Sequence, residues 1–207
     1  MIKKVSNINK YRALNFSRLK AKHFILLFDW LNKPHIRTFY QKEAIDLEAV
    51  RQKYIARLSK SSRIHCYIVN FKRIPIGYIQ TYLVADYSEF SQVIGTKDGA
   101  TIDFYIGETA FLGKGLGWLI ELKFLQEILF SVFPVQKCYV CHEKANIAAL
   151  KTSSKAGFRY VKDVIEDSEL NELLAIDRGE AKANTEIAAK LFKEQEHKLG
   201  YQTAMDF

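Results

Sequence analysis

The chain has 207 residues, of which 48% are apolar, 26% charged and 13% aromatic, a balance that excludes a disordered chain and fits one compact domain with a well-filled core. Ten glycines and three prolines exclude a collagen-like or linker-dominated protein, and the absence of any run of about 18 apolar residues predicts no membrane-spanning helix. The net charge of +8 is unevenly placed, because Lys3, Lys4, Lys10, Arg12, Arg18, Lys20 and Lys22 put +7 on the first 22 residues and leave +1 for the rest. That basic lead reads as a solvated strand and helix edge, with contact to a polyanion as the alternative. From Lys162 onward acids outnumber bases eleven to six. Met1 to Lys4 leads into polar residues rather than the apolar stretch of a secretory signal, and three cysteines are too few for a disulfide scaffold. A cytoplasmic protein is expected.

In chain order, the segment from Lys3 to Leu19 reads as an opening strand. His23 to Leu31 is dense enough in apolar residues for a buried helix, which Pro34 interrupts. Leu47, Val50, Tyr54, Ile55 and Leu58 fall at helical spacing. His65 to Val69 and Ile76 to Val84 read as paired strands across a turn at Lys72 to Pro75. Asp86 to Gly99 is expected to be a loop and Thr101 to Ile106 a strand ending at Gly107. Leu116 to Phe133 predicts a long helix stopped by Pro134, and Lys137 to Cys141 a strand. Asn146 to Lys155 predicts a helix capped by Asn146 and closed by Gly157. Phe158 to Val161 and Leu173 to Ile176 complete the sheet. Asn184 to Leu199 predicts an amphipathic terminal helix presenting Ile187, Ala188, Leu191 and Phe192. The expected division is a domain over residues 1–178 and a helical extension over 179–207, packed on the domain or on a partner subunit. Strands with helices between them argue an α/β (α+β) fold with a mixed sheet of about six or seven strands.

Leu112-Gly113-Lys114-Gly115-Leu116-Gly117 is the most informative segment. Glycines let a backbone turn its N–H groups onto a ligand, and the helix that follows adds the positive end of its dipole. The nucleoside-triphosphate loop is excluded, since no Lys-Ser or Lys-Thr follows the glycines. The dinucleotide fingerprint is excluded by a third glycine one residue too early.

This loop resembles the acetyl-CoA pyrophosphate loop of the GNAT N-acetyltransferases. Asn146, Ala149, Ser153, Lys155, Gly157 and Phe158 are similar to that superfamily's N-x-x-A-x-x-x-Y-x-K-x-G-F motif, with Ser153 in the place of the tyrosine. Trp30-Leu31-Asn32-x-Pro34-His35-Ile36 with Phe39 and Tyr40, Pro75-Ile76-Gly77-Tyr78-x-Gln80-Thr81-Tyr82, and Ile102-Asp103 resemble the aminoglycoside 6′-N-acetyltransferase and siderophore acyltransferase group. The resemblance implies an acetyl-CoA-dependent N-acetyltransferase acting on a small primary amine, an aminosugar first, by direct attack in a ternary complex. It also implies Asp103 as the catalytic carboxylate. A main-chain N–H near Ile106 or Gly107 is expected to hold the oxyanion. Leu112, Gly113, Lys114, Gly115, Leu116, Gly117, Asn146, Ser153 and Lys155 are expected along the coenzyme. Phe39, Tyr40, Gln80, Tyr82 and Asp86 are expected to wall the acceptor, and Cys141 stands where aminoglycoside enzymes often carry an acid.

Cys138-Tyr139-Val140-Cys141-His142 spells a haem-attachment pattern, but it falls in a strand, where the two cysteines face opposite ways. No metal site, nucleic acid or membrane is expected, and the chain is read as a monomer or homodimer. Two alternatives remain. One is an acyltransferase acting on a siderophore-precursor hydroxylamine. The other is a non-catalytic acyl-CoA-binding protein whose basic lead faces nucleic acid.

Overall fold

A computed structural model describes residues 7–166 and 168–188 of the chain. Seven strands form one sheet: β1 (Leu14–Arg18), β2 (His65–Phe71), β3 (Ile74–Leu83), β4 (Ala100–Ile106), β5 (Lys137–Glu143), β6 (Arg159–Glu166) and β7 (Glu169–Asp177), in the order β1-β2-β3-β4-β5-β7-β6. Every neighbouring pair is antiparallel except β4 and β5, which run parallel. A parallel pair needs a crossover. The chain supplies one with α6 (Gly117–Phe124), which continues through a π-helical turn at Leu125–Leu129 into α7 (Phe130–Val132).

Helices cover both faces. On one face α6 packs against α8 (Ile147–Ala156), and Ile79, Ala100, Ile102, Leu119, Leu122, Val140 and Leu174 join in the main core. On the other lie α2 (Phe24–Leu31), α3 (Pro34–Arg37) and α4 (Leu47–Ile55). The buried residues of α2 are Phe24, Leu27, Trp30 and Leu31, the one-face spacing of a helix, and each is worth about 1.5–3 kcal/mol of burial. They meet Val50, Tyr54, Ile68, Tyr78 and Tyr105 in a second core.

Three expectations in the first hundred residues are corrected. Of the opening segment, Asn7–Ala13 is a helix, α1, and Leu14–Arg18 a strand, while Lys3 to Ser6 lie outside the described residues. The expected loop at Asp86 to Gly99 contains α5 (Ser88–Ile94), whose Phe90 and Ile94 cover the β5–β7 end of the sheet. Gly95 closes α5 in the left-handed region (φ 78°). Its seven residues are too few for a periodic signal. The hairpin turn is Lys72-Arg73 alone, both at positive φ; Pro75 lies in β3 opposite a register shift at Val69/Asn70.

Asn146 caps α8, its side chain accepting from Ala149 N at 3.2 Å, and Gly157 closes it at φ 105°. The last helix starts earlier than Asn184, at residue 178, and is described to 188. Ala181 and Ala188 bury into the main core, whereas Ile187 is 56% exposed. Leu191 and Phe192 lie outside the described residues.

Candidate active site

The site begins where the parallel pair ends. β4 and β5 are in register only at Ala100 opposite Cys138 and Thr101 opposite Tyr139, and the sheet opens beyond them. Val84 donates to Gly99 O and Gly107 donates to Ile76 O. In an antiparallel ladder such pairs alternate, so Thr101, Asp103 and Tyr105 spend their main chain on β3. The main-chain groups of Ile102, Phe104 and Ile106 therefore face the opening. His35 Nε2 lies 3.0 Å from Ile106 O, leaving the Ile106 N–H directed into the gap.

This separates two residues that the sequence left as equals. The Gly107 N–H is bonded to Ile76 O at 2.8 Å and its carbonyl accepts from Lys33 Nζ at 2.9 Å. A Cβ on Gly107 would sit 2.2 Å from the Trp30 ring. Gly107 is a packing glycine, and Ile106 is the residue that offers a free donor.

The glycine loop lies at the head of α6. Gly113 (φ 66°) and Gly115 (φ 67°) are left-handed, and nothing lies within 4 Å of a Cβ at either. Residues 112 to 115 are exposed and Leu116 is buried as the helix begins. Left-handed turns beside helical ones gather successive N–H groups into an anion-binding hollow, which the first-turn amides of α6 extend. Gly117 has another role: a Cβ there would meet Thr152 at 2.8 Å, so it allows α6 to lie close on α8. Lys10 of α1 donates to Lys114 O at 2.9 Å, which brings the basic lead to this loop. The Lys155 ammonium stands 4.7 Å from the Trp118 ring centroid in the first turn of α6.

On the α2–α4 face, Asp103 sits opposite Gln80, whose Nε2 donates to Asp103 Oδ2 at 2.8 Å. Gln80 Oε1 accepts from Arg57 Nη1 at 2.7 Å and from the Tyr78 hydroxyl at 2.8 Å. Burial pushes the Asp103 carboxyl upward, opposed by Gln80, by the Arg57 guanidinium and by a hydrogen bond from Tyr82. Tyrosine rings surround this group. Tyr40 lies 4.6 Å from Tyr105, Tyr105 stacks on Tyr78 at 5.6 Å, and Tyr54 meets Tyr78 at 5.5 Å. Phe39 is half-buried outside this ring stack. Asp86 is ion-paired to Arg63 at 3.3 Å. Cys141, on the same face of β5, hydrogen-bonds Glu166, and burial raises its thiol.

On the opposite face, Ser153 is fully buried and donates to Glu121 Oε1 at 2.7 Å, with His142 Nε2 2.9 Å away. Among the expected coenzyme residues, Ser153 is thus the one with no open surface. Sequence reasoning singled out neither Arg57 nor Tyr54, Tyr105, Glu166, Glu121 or a role for His142. They stand far apart in the chain, and only the strand register brings them together. For Arg57 the one available signal was its position three residues beyond Tyr54, one turn along the same helical run.

Among the described residues there is no cluster of three or more His, Cys, Asp or Glu able to hold a metal, and no helix long and apolar enough to cross a membrane.

Residues 20–165 match a family model described as the acetyltransferase (GNAT) domain. Aminoglycoside N(6′)-acetyltransferase type 1 from Klebsiella pneumoniae is 30% identical over 145 residues, 68% of this chain and 72% of the relative, and that from Serratia marcescens matches equally. Among solved structures, an aminoglycoside acetyltransferase in complex with coenzyme A superposes with a TM-score of 0.69 at 24% identity, over 84% of this chain and 99% of that one. A spermidine N-acetyltransferase from Vibrio cholerae in complex with coenzyme A and spermine superposes with a TM-score of 0.67 at 13% identity, over 82% and 98%. With its opened parallel pair and glycine-lined hollow, the chain belongs to the GNAT acetyltransferase family and is an acetyl-CoA-dependent acyltransferase.

Proposed function

We propose that this enzyme acetylates a primary amine of a small polyamine-like acceptor, an aminoglycoside-like aminosugar first among them, by direct attack on the thioester in a ternary complex. The observation that carries this reading is the placement of Asp103. Its carboxylate is enclosed by Gln80, Tyr82 and the tyrosine stack, on the strand whose alternate residues face the β4–β5 opening. The names of the relatives favour an amine acceptor. Glu166 beside Cys141 supplies a carboxylate from β6 at the position where the sequence lacks one.

The roles follow from the chemistry. The main-chain amides of Gly113, Lys114, Gly115, Leu116 and Gly117 hold the donor's diphosphate, each charge-assisted hydrogen bond worth roughly 1.5–3 kcal/mol. Lys114 and Lys155 add positive charge at the two ends of that hollow, and Leu112 borders it. Asn146, besides capping α8, lies beside the donor's pantetheine arm. Asp103 orients the ammonium and takes its proton, directly or through water, since only the neutral amine attacks. The Ile106 N–H meets the oxyanion that forms on the carbonyl. Tyr40, Gln80 and Tyr82 wall the acceptor, with Phe39 and Asp86 at its rim.

The test follows thiol release from acetyl-CoA with a panel of aminoglycosides, linear polyamines and hydroxylamines. Release with the amines is expected, together with a 10²–10⁴-fold fall in kcat for Asp103→Asn at unchanged coenzyme affinity, the range of a lost general base. Release with hydroxylamines alone would replace this reading by the siderophore-precursor one. Coenzyme binding without release from any acceptor would leave a binding protein.

A further inference from the structure

We infer that His142, backed by Ser153 and Glu121, protonates the departing thiolate of the acyl donor in this enzyme. The three residues come from β5, α8 and α6, the elements that line the β4–β5 opening and its helical cover. Ser153 Oγ sits between the other two, 2.9 Å from His142 Nε2 and 2.7 Å from Glu121 Oε1. Glu121 and Ser153 have no exposed surface. The second carboxyl oxygen of Glu121 is buried without a hydrogen-bond partner. An ionised carboxylate left so would carry a heavy desolvation cost, so the neutral acid is the form that fits. Burial accordingly pushes Glu121 up to about 8, with only the Ser153 hydrogen bond opposing.

His142 is the way out of this chain. It lies on β5 beyond the last paired residue, Tyr139, where the strand edge toward β4 is open. His142 is largely but not wholly covered, and Nδ1 is not among the buried polar atoms left without a partner. Nδ1 also makes no hydrogen bond within the described molecule, so it stands on the open side while Nε2 faces Ser153. Burial lowers the imidazole to about 4, so it is neutral at working pH and carries one proton.

When the Ser153 hydroxyl turns from Glu121 to His142, that proton resides on Nδ1, Nε2 accepts from Ser153 Oγ–H and Ser153 Oγ accepts from Oε1–H of the Glu121 carboxylic acid. When the tetrahedral intermediate collapses, the carbon–sulfur bond breaks and its electron pair goes to sulfur. His142 Nδ1–H gives its proton to the sulfur, Ser153 Oγ–H passes one to Nε2, and Glu121 passes one to Ser153. The chain ends with a Glu121 carboxylate accepting from Ser153, which accepts from His142 Nε2–H. Solvent reverses the relay through His142 after the products leave. Cys138 is the other titratable group acting near Glu121, and it too is fully buried and protonated. Ser153 is too short to reach a ligand from its buried position. His142 supplies that reach, and Ser153 and Glu121 act through it as positioning residues.

Coenzyme A itself is the first probe, since it needs no acceptor. Its thiolate absorbs in the ultraviolet and its thiol does not. Bound to the full-length enzyme, the thiol is expected to ionise at lower pH than in the His142→Ala and Ser153→Ala complexes, because a donor at the sulfur favours the thiolate. Kinetics with the amine that turns over should then show kcat reduced at least tenfold in His142→Ala and in Glu121→Gln, with the KM for acetyl-CoA within about twofold. Added imidazole should restore much of the His142→Ala loss and none of the Glu121→Gln loss. His142→Asn guards against misfolding of the alanine variant and should lose kcat similarly. Identical thiol titration in wild type and both alanine variants would overturn the inference. So would wild-type kcat in His142→Asn, or a His142→Ala loss that imidazole leaves untouched.

Discussion

Two carboxyl groups, one half-buried and one fully buried, flank the β4–β5 opening from opposite faces of the sheet, and their surroundings differ in kind. Asp103, on the α2–α4 face, accepts from Gln80 and Tyr82 and lies within the influence of the Arg57 guanidinium. Glu121, on the α6–α8 face, has Ser153 and no cation acting on it, and one of its oxygens is unpartnered. Burial raises both, but three groups oppose it at Asp103 and one at Glu121. Acid and base roles are assigned by environments that push like groups apart. The proposed transfer uses this difference, with Asp103 assigned to the incoming amine and Glu121 to the outgoing sulfur.

The largest expected consequence is on stability. Glu121 keeps its proton in the folded enzyme to about 8, whereas in the unfolded chain it loses it near 4.5. Between those values the unfolded state binds fewer protons, so stability falls as pH rises, by up to about 5 kcal/mol for a shift of this size. Glu121→Gln removes the titrating group while keeping its shape. Thermal unfolding should show the wild type losing stability relative to Glu121→Gln from pH 5 to pH 9. Parallel profiles would mean that Glu121 is no more protonated in the fold than outside it, and the contrast between the two carboxyl groups would collapse.

The next effect falls on the other face. Arg57 Nη1 bonds Gln80 at 2.7 Å and its charge favours the ionised form of Asp103. Arg57→Met should therefore raise the Asp103 pKa, the direction that a lost neighbouring positive charge gives. Asp103 works as a base only when ionised. The acidic limb of the pH profile of kcat/KM should move upward, with activity lost on that limb and convergence with wild type at high pH. A loss equal at every pH would assign Arg57 to packing over the Tyr54 ring, 4.9 Å away, instead.

The two faces were not equally legible in the sequence. The donor side is written locally. Gly113, Gly115 and Gly117 lie within five residues, and Asn146 and Gly157 bracket one helix, so spacing shows the turn and the helix ends, while the coenzyme came through the family resemblance. On the Asp103 face, the sequence offered Asp103, Phe39, Tyr40, Gln80, Tyr82 and Asp86, and those came through the family resemblance. Arg57, Glu166 and the tyrosine stack depend on which strands pair and in what register, and single-sequence periodicity does not carry that. Ser153 stood out as a departure from the tyrosine. Its partners, 11 and 32 residues away in sequence, had no pattern to announce them. The small helix α5 was hidden for a third reason, because two helical turns of Ser, Glu and Gln around Phe90 read as loop.

The smallest effect tests whether the donor side is a matter of backbone alone. Gly115 has φ 67° and open space where a Cβ would go. An alanine there meets no clash, so its whole cost is the left-handed conformation, roughly 1–2 kcal/mol. If the loop keeps its shape, folding stability falls by about that amount and donor affinity holds. If the loop relaxes instead, its amides turn away and the KM for acetyl-CoA rises about five- to thirtyfold, the same energy expressed as binding. Either way the acceptor KM stays unchanged, since Asp103 and its partners lie on the far face of the sheet. Gly117→Ala is the control, because its Cβ would strike Thr152 at 2.8 Å and disturb the α6–α8 packing. It should shift Glu121 and Ser153 along with the loop, and so lower kcat as well as donor affinity. A Gly115→Ala enzyme with wild-type stability and wild-type donor KM would show that the left-handed turn is not needed, and that side chains rather than amides hold the diphosphate.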